Sequence, residues 1–332
     1  MENAPTRRQV LQAGAVTLAS AATATAVSAV SAVSAHAQET KMTPDTSGKK
    51  RVLRLAHLTD IHVQPGGKAP AGMAACLEHV HTLKDRPDLI LNGGDSIMDS
   101  IGREQSAVKA QWDQWDRTLR ENCTLPVFHC IGNHDVWGLD KAKSKTTGDE
   151  ALYGKKWAQD QFKLKERYYS FDRAGWHFVV LDSTMPQGSG YTARLDDAQF
   201  EWLTADLAAT PKATPVLVLS HIPILCGCAF LDGDNEKSGN WTVPGAWMHI
   251  DARRIKDLFV KHPNVRLALS GHIHLRDRLD YNGVTYLCNG AVCGAWWGGN
   301  YQETEPGYAL VDLYADGTWD SRYVAYTREP AA

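Results

Sequence analysis

The sequence predicts an α/β protein in which two β-sheets pack face to face with helices outside. Three observations carry this. In the first half, short apolar runs alternate with helix-period segments, as in βαβ units feeding a largely parallel sheet. In the second half, paired short runs flank turn dipeptides such as Asn282-Gly283, the mark of hairpins. Apolar residues make up 43% of the 332-residue chain and charged residues 22%, enough to bury a large core.

The elements follow in order. Val52 to Thr59 alternates and then runs apolar, a first buried strand. Gly72 to Leu83 reads as a helix, Asp88 to Asn92 as a second strand, Arg103 to Arg120 as a polar, Trp-containing helix, and Leu125 to Ile131 as a third strand. Tyr168 to Phe171 and Trp176 to Asp182 pair across Arg173-Ala174-Gly175. Asp196 to Leu207 is a helix, and Val216 to Ser220 and Val265 to Ser270 are strands, each closely followed by a histidine. Arg278 to Tyr281 pairs with Val284 to Leu287, and Tyr308 to Tyr314 pairs with Thr318 to Ala325 across Asp316-Gly317. Cys226 to Met248 is rich in Gly, Asp, Asn and Trp and too long for a routine connection, so 223–249 reads as a lid-like insertion. Residues 288–327 read as a C-terminal flap and hairpin, and 51–327 as one folded domain.

The first residues are an address. Thr6-Arg7-Arg8-Gln9-Val10-Leu11 resembles a twin-arginine export signal, a weakly apolar Ala/Ser-rich run follows, and Ala35-His36-Ala37 supplies an A-x-A site. Residues 1–37 are therefore expected to be removed on export to the periplasm or beyond, with the twin-arginine translocation machinery as a transient partner. Residues 38–50 are a polar linker. No later stretch is apolar enough to span a bilayer. The net charge of −3 and the lack of a basic stripe argue against a nucleic-acid partner. Seven cysteines include no zinc-ribbon spacing. Buried thiols are the plainer reading, although an oxidising compartment leaves a Cys288–Cys293 or Cys226–Cys228 bridge open.

Five short motifs carry the chemistry: Asp60-Ile61-His62, Gly93-Gly94-Asp95, Gly132-Asn133-His134-Asp135, His221, and Gly271-His272-Ile273-His274. Each follows an apolar strand, where sites form in open α/β sheets. Asp60 and His62, two apart on an extended segment, can point the same way. Oxygen and imidazole donors without cysteine suit Zn, Mn or Fe, and two such ions could share one bridging carboxylate. They would lower the pKa of a bound water, whose hydroxide would attack a phosphoryl group.

In this order the motifs are similar to those of the calcineurin-like metallophosphoesterases, and the first and third resemble the cyclic-nucleotide phosphodiesterase-like branch and also small phosphatases. The purple acid phosphatase pattern is absent, since Met98 stands where that branch has a ligating tyrosine. The resemblance implies a four-layer αββα sandwich and two divalent or trivalent ions (Fe, Mn or Zn). Asp60, His62 and His274 would hold one ion, Asn133, His221 and His272 the other, and Asp95 would bridge them. It further implies that His134 contacts phosphate and protonates the leaving oxygen. Asp135 would orient His134, as a carboxylate behind a catalytic imidazole does. The expected substrate is a small phosphoester. The scarcity of Arg and Lys in the motif loops, beyond Arg276 and Arg278, tilts the reading toward diesters and away from a phosphatase. A binding module that had lost catalysis is disfavoured because every motif residue is present.

Substrate contacts are less determined. Trp137 reads equally as a stacking residue and as loop packing. Trp296 and Trp297, flanked by small residues, look like an aromatic flap, and Arg276 reads as a phosphate contact or a solvated cation. His57 and His129 lie inside strands and read as core, and His79 and His81 as helix surface.

Overall fold

The computed structural model describes residues 48–327, so the expected export signal over 1–37 and most of the expected linker over 38–50 lie outside the described residues. In chain order the strands are β1 (Arg51–Leu58), β2 (Leu89–Asn92), β3 (Val127–His129), β4 (Tyr169–Arg173), β5 (Trp176–Leu181), β6 (Thr184–Gln187) and β7 (Gly190–Ala193). They continue with β8 (Val216–Ser220), β9 (Val265–Ser270), β10 (Asp277–Tyr281), β11 (Val284–Cys288), β12 (Tyr308–Tyr314) and β13 (Trp319–Val324). The helices are α1 (Ala69–Thr82), α2 (Gln105–Asn122), α3 (Lys141–Ser144), α4 (Lys156–Phe162), α5 (Asp197–Ala209) and α6 (Ala252–Lys261).

One mixed sheet runs β13-β12-β1-β2-β3, with β1, β2 and β3 parallel and the C-terminal hairpin antiparallel to them. The other runs β10-β11-β9-β8-β5-β4, with a parallel centre and antiparallel edges. The two-residue period of the strands sorts their side chains into layers. Leu53 and Leu55 of β1 meet Leu217 and Leu219 of β8 and Leu267 and Leu269 of β9 between the sheets. Ala56 and Leu58 face the other way, onto Met73 of α1 and Trp112 and Trp115 of α2. Val216 and Val218 face Leu203 of α5 and Ile255 and Phe259 of α6. The result is the four-layer αββα sandwich. Each of these leucines contributes about 1.5–3 kcal/mol by leaving water.

Local chemistry explains the helices. Pro70 lies in the first turn of α1, where its missing N–H costs nothing. Asp196 caps α5 by accepting from Gln199 N at 2.8 Å. Four elements have no counterpart in the sequence reading: α3, α4, the β6–β7 ribbon, and α6, whose Ile255, Leu258 and Phe259 do show helical spacing. His79 is a correction. It is buried, not on the surface, with Nδ1 2.9 Å from the Tyr308 hydroxyl. His57 is buried, and His129 stacks on Phe162 with ring centroids 4.3 Å apart. Among the described residues no helix is long and apolar enough to cross a membrane.

Candidate metal centre

The loops that leave β1, β2, β8 and β9, and the loop after β3, bring all seven predicted metal ligands together. They do so through unusual backbone. Asp60, His62, Asp95, His272 and His274 have φ of 55°, 49°, 53°, 72° and 61°. This left-handed region is uncommon for non-glycine residues and persists where surrounding structure imposes it. Asp60 and His62 therefore do not share a face by strand alternation, as expected from sequence. Two left-handed kinks aim them, while Asp60 N bonds Gly94 O at 3.0 Å and His62 N bonds Asp95 O at 2.9 Å. Gly132 and Gly271 make room: a Cβ on Gly132 would lie 2.1 Å from Asp95 Oδ1, and one on Gly271 2.2 Å from Asp60 Oδ2.

Asp95 Oδ2 lies 3.6 Å from His62 Nε2 and 3.2 Å from His221 Nε2, so one oxygen reaches both halves of the cluster. On one side Asp60 Oδ1 is 3.4 Å from His274 Nε2 and 4.0 Å from His62 Nε2. On the other, Asn133 Oδ1 is 3.0 Å from His221 Nε2, and donors of Asp95, His221 and His272 converge within 4.8 Å. The remaining carboxylate oxygens are held by the backbone: Asp60 Oδ2 accepts from His272 N at 2.8 Å and Asp95 Oδ1 from His134 N at 2.7 Å.

Each imidazole is oriented by a carbonyl on its other nitrogen. His62 Nδ1 faces Met98 O at 3.3 Å, His221 Nδ1 faces Gly93 O at 2.8 Å, His272 Nε2 faces Ala246 O at 3.0 Å, and His274 Nδ1 faces Gly294 O at 2.7 Å. That pattern sets the tautomer of metal-binding histidines. The Ala246 carbonyl comes from the loop segment 223–249, whose ends are joined by His249 N to Pro223 O at 3.0 Å.

The donors fit metal. Asp60 Oδ1 and His62 Nε2 are buried without a hydrogen-bond partner, a costly state that a cation relieves. Burial keeps His62 and His272 neutral, with pKa values near 3, ready to donate a lone pair. Burial alone would raise the carboxyls, but His274 beside Asp60 and His221 beside Asp95 outweigh it and hold both below the usual range. Burial opposes charge on His221 as well, yet Asp95 and Asp60 push its pKa up to about 9. Two buried carboxylates thus draw positive charge into the cluster.

His134 stands at the edge of this group, its ring 4.9 Å from that of His62. Its carboxylate is not the expected one. Asp135 is fully buried and turned into the loop, where it accepts from Ser96 N at 2.9 Å, Ile97 N at 3.3 Å and Gly132 N at 2.9 Å. The reason is steric: the tight turn at Gly132-Asn133-His134 sends neighbouring side chains apart. Asp99 takes the place instead, with Oδ1 3.5 Å from His134 Nδ1, and Ser100 Oγ donates to His134 O at 2.6 Å. Burial would lower the pKa of His134, but Asp95 and Asp99 together raise it. The only signal for Asp99 in the sequence was its place four residues after Asp95.

The four candidate substrate contacts separate. Trp137 is buried in the core under α2 and α4, with its Nε1 donating to Arg103 O at 2.9 Å and its ring against Trp157, so loop packing is its role. Trp297 is half-buried and donates from Nε1 to His62 O at 3.0 Å, which supports a ligand loop rather than a substrate. Trp296 is 47% exposed, 4.6 Å from the His274 ring and 6.0 Å from His62, so it overhangs the cluster. Arg276 stacks over Tyr323 at 4.8 Å and Arg278 over Trp319 at 5.1 Å, both toward β13. Two further aromatic residues border the site: Tyr301, 5.6 Å from His274, and Tyr191 on β7, 6.2 Å from His272. Tyr301 ends the aromatic stretch that begins at Trp296, whereas Tyr191 was not singled out in the sequence, because it depends on a ribbon with no motif. Cys293 also joins His62 and His274 within 4.8 Å.

Strands, loops and donors of this kind define a metal-dependent hydrolase of phosphoric esters. The chain belongs to the calcineurin-like phosphoesterase family, whose sequence profile matches residues 53–276. It is similar to the 3',5'-cyclic adenosine monophosphate phosphodiesterase CpdA of Escherichia coli (strain K12), with 26% identity over 295 residues, covering 84% of this chain and 92% of that protein. It is also similar to a probable glycerophosphodiester phosphodiesterase, GpdQ, of Arcobacter nitrofigilis, with 22% identity covering 70% of this chain and 76% of that one. In fold it resembles a dimetal phosphatase from Danio rerio, with TM-score 0.57 and 16% identity over 83% of this chain and all of the other.

Proposed function

We propose that the chain is a dinuclear phosphodiesterase acting on small diesters with an aromatic or sugar substituent, of which cyclic nucleotides are one class. The observation that carries this is the single Asp95 oxygen placed between two sets of donors. Asp60, His62 and His274 would hold one ion, and Asn133, His221 and His272 the other. When bound, such a pair supplies Lewis acidity toward phosphoryl oxygens and an activated water.

The chain's own residues supply the rest. His134, with its raised pKa, holds a proton where a leaving oxygen can take it. Trp296 and Tyr301 form an apolar wall beside His274 that suits a flat substituent and keeps water from that side. The choice of diester over monoester rests on charge. A monoester dianion needs extra cations, and the two arginines of the motif loops are engaged with Tyr323 and Trp319. The named similarity to two phosphodiesterases supports the same choice. The twin-arginine pattern at Arg7-Arg8 supports export, which a fractionation of cells carrying the intact and the Arg7→Lys/Arg8→Lys chains would test.

The direct test compares bis(p-nitrophenyl) phosphate with p-nitrophenyl phosphate, with and without added Mn, using His134→Ala and Asn133→Ala as controls. Diester turnover lost in both variants is expected. Turnover of the monoester alone would make the protein a phosphatase.

A further inference from the structure

A second group of convergent donors lies outside the phosphoesterase centre. Cys226 and Cys228 open the 223–249 segment, and Cys288 ends β11. All three are buried, and their sulfurs lie within 4.8 Å of one another. We propose that Cys226, Cys228 and Cys288 form a thiolate site for one thiophilic d¹⁰ ion, zinc(II) or copper(I).

The geometry is prepared by the fold. Asp277 pairs with Cys288 in the β10–β11 register. Its Oδ2 accepts from Gly227 N and, at 3.3 Å, from Cys228 N, which pins the Cys226-Gly227-Cys228 turn over the end of β11. Cys288 Sγ contacts Gly271 O at 3.2 Å. Sulfurs bound at about 2.3 Å from one ion lie roughly 4 Å apart, which the observed convergence accommodates. Soft sulfur donors favour zinc or copper(I) over harder ions such as manganese(II). A lone buried cysteine behaves as a small apolar residue, but three that meet from segments sixty residues apart share S–H contacts. On binding, each thiol that ligates releases its proton to solvent.

The site would act as a clip. Cys226, Cys228 and Cys288 pack with Ile273 and Leu275, which flank His274, and with Trp247 and Tyr301. The same segment supplies Ala246 O to His272. An ion here fixes the wall of the phosphoesterase centre without touching it, and the proposal does not depend on which ester that centre hydrolyses.

The test uses the mature chain loaded with zinc, copper(I) or cobalt(II), beside Cys226→Ser/Cys228→Ser/Cys288→Ser and Cys293→Ser variants. We expect the triple variant to hold one ion fewer than the wild type. We also expect thiolate-to-cobalt absorption in the near ultraviolet that survives Cys293→Ser and vanishes in the triple variant. Equal ion content in the wild type and the triple variant, or no thiolate absorption from the wild type, overturns the proposal. Should the triple variant not fold, the wild type decides alone. It must show the thiolate-to-cobalt absorption, and all seven of its thiols must react in denaturant without reductant. Five reactive thiols in denaturant would reveal a disulfide and sink the idea.

Discussion

His134 is backed by Asp99, not by its chain neighbour Asp135: Nδ1 lies 3.5 Å from Asp99 Oδ1 while Asp135 points into the loop. Because Asp99 helps to raise the pKa of His134, its removal lets burial pull that pKa down. A proton donor with a lower pKa loses its proton at lower pH. Asp99→Asn should therefore move the alkaline limb of kcat against pH to lower pH and reduce kcat about 10-fold, with KM little changed. A profile with its alkaline limb unmoved would remove Asp99 from that role.

Asp135 should behave in the opposite manner. Its two oxygens satisfy three backbone N–H groups, and burial, with the charge of Asp95, raises its pKa to about 7. Asp135→Asn turns one acceptor into an NH₂ facing a donor, a loss of about 1–3 kcal/mol. We expect lower stability to denaturant with the alkaline limb in place. A moved limb would restore the orienting role that adjacency suggests.

The two aspartates show where sequence reading succeeds and stops. Asp60, His62, Asp95, Asn133, His221, His272 and His274 were legible because each sits one to four residues beyond the end of a strand, and parallel strands deliver their ends to one edge. The layer pattern was legible for the same reason, in the alternation of Leu53, Leu55, Ala56 and Leu58. Adjacency in the chain, however, does not fix direction. The turn at Gly132 separates His134 from Asp135, and left-handed backbone, not strand alternation, aligns Asp60 with His62. Tyr191, Tyr301 and the Ala246 carbonyl arrive from a short ribbon and two loops, and no residue pattern announces where a loop will land.

Trp296 and Trp137 make a matched pair. Trp296 is half exposed over His274, whereas Trp137 is 1% exposed in the core. Losing an aromatic contact of about 0.5–1.5 kcal/mol corresponds to a KM raised about 2- to 10-fold for Trp296→Ala, with kcat nearly unchanged. Trp137→Phe should leave KM alone and lower the melting temperature, since it strands the Arg103 carbonyl that now accepts from Nε1. Steady-state kinetics on an aryl diester and a thermal melt separate the two. Equal KM for Trp296→Ala and wild type would detach the flap from substrate.

A pH effect on stability follows from His177, far in the chain from the candidate metal ligands. Nε2 lies 2.9 Å from Asp206 and Nδ1 2.7 Å from Asp172. The hydrogen bond with Asp206, opposed by burial and aided by Asp172, raises its pKa above the ordinary 6.5. A raised folded pKa means the folded state binds the proton more tightly, so the contribution is full below 6.5 and fades as pH climbs through the raised value. His177→Gln should thus lower the melting temperature more at about pH 5.5 than at about pH 9. A difference independent of pH would mean that the pair carries no net linkage.

Gly271 joins the fold to the centre most tightly. A Cβ there would sit 2.0 Å from Thr59 Oγ1 and 2.2 Å from Asp60 Oδ2, while Gly271 N is tied to His221 O at 3.0 Å. Neither side can yield freely. Thr59 Oγ1 and His272 N both hold Asp60 Oδ2, and the Gly271 backbone carries His272. Gly271→Ala must therefore displace Asp60 or the β9 loop. Overpacking of this kind costs about 1–3 kcal/mol and moves a ligand from its place. We expect a lower melting temperature together with lost metal, read by elemental analysis after gel filtration. The two losses should appear together, because the same carboxylate oxygen sets both. A variant that is destabilised yet keeps its full metal content would show that the β9 loop absorbs the methyl group and that Asp60 stays where it is.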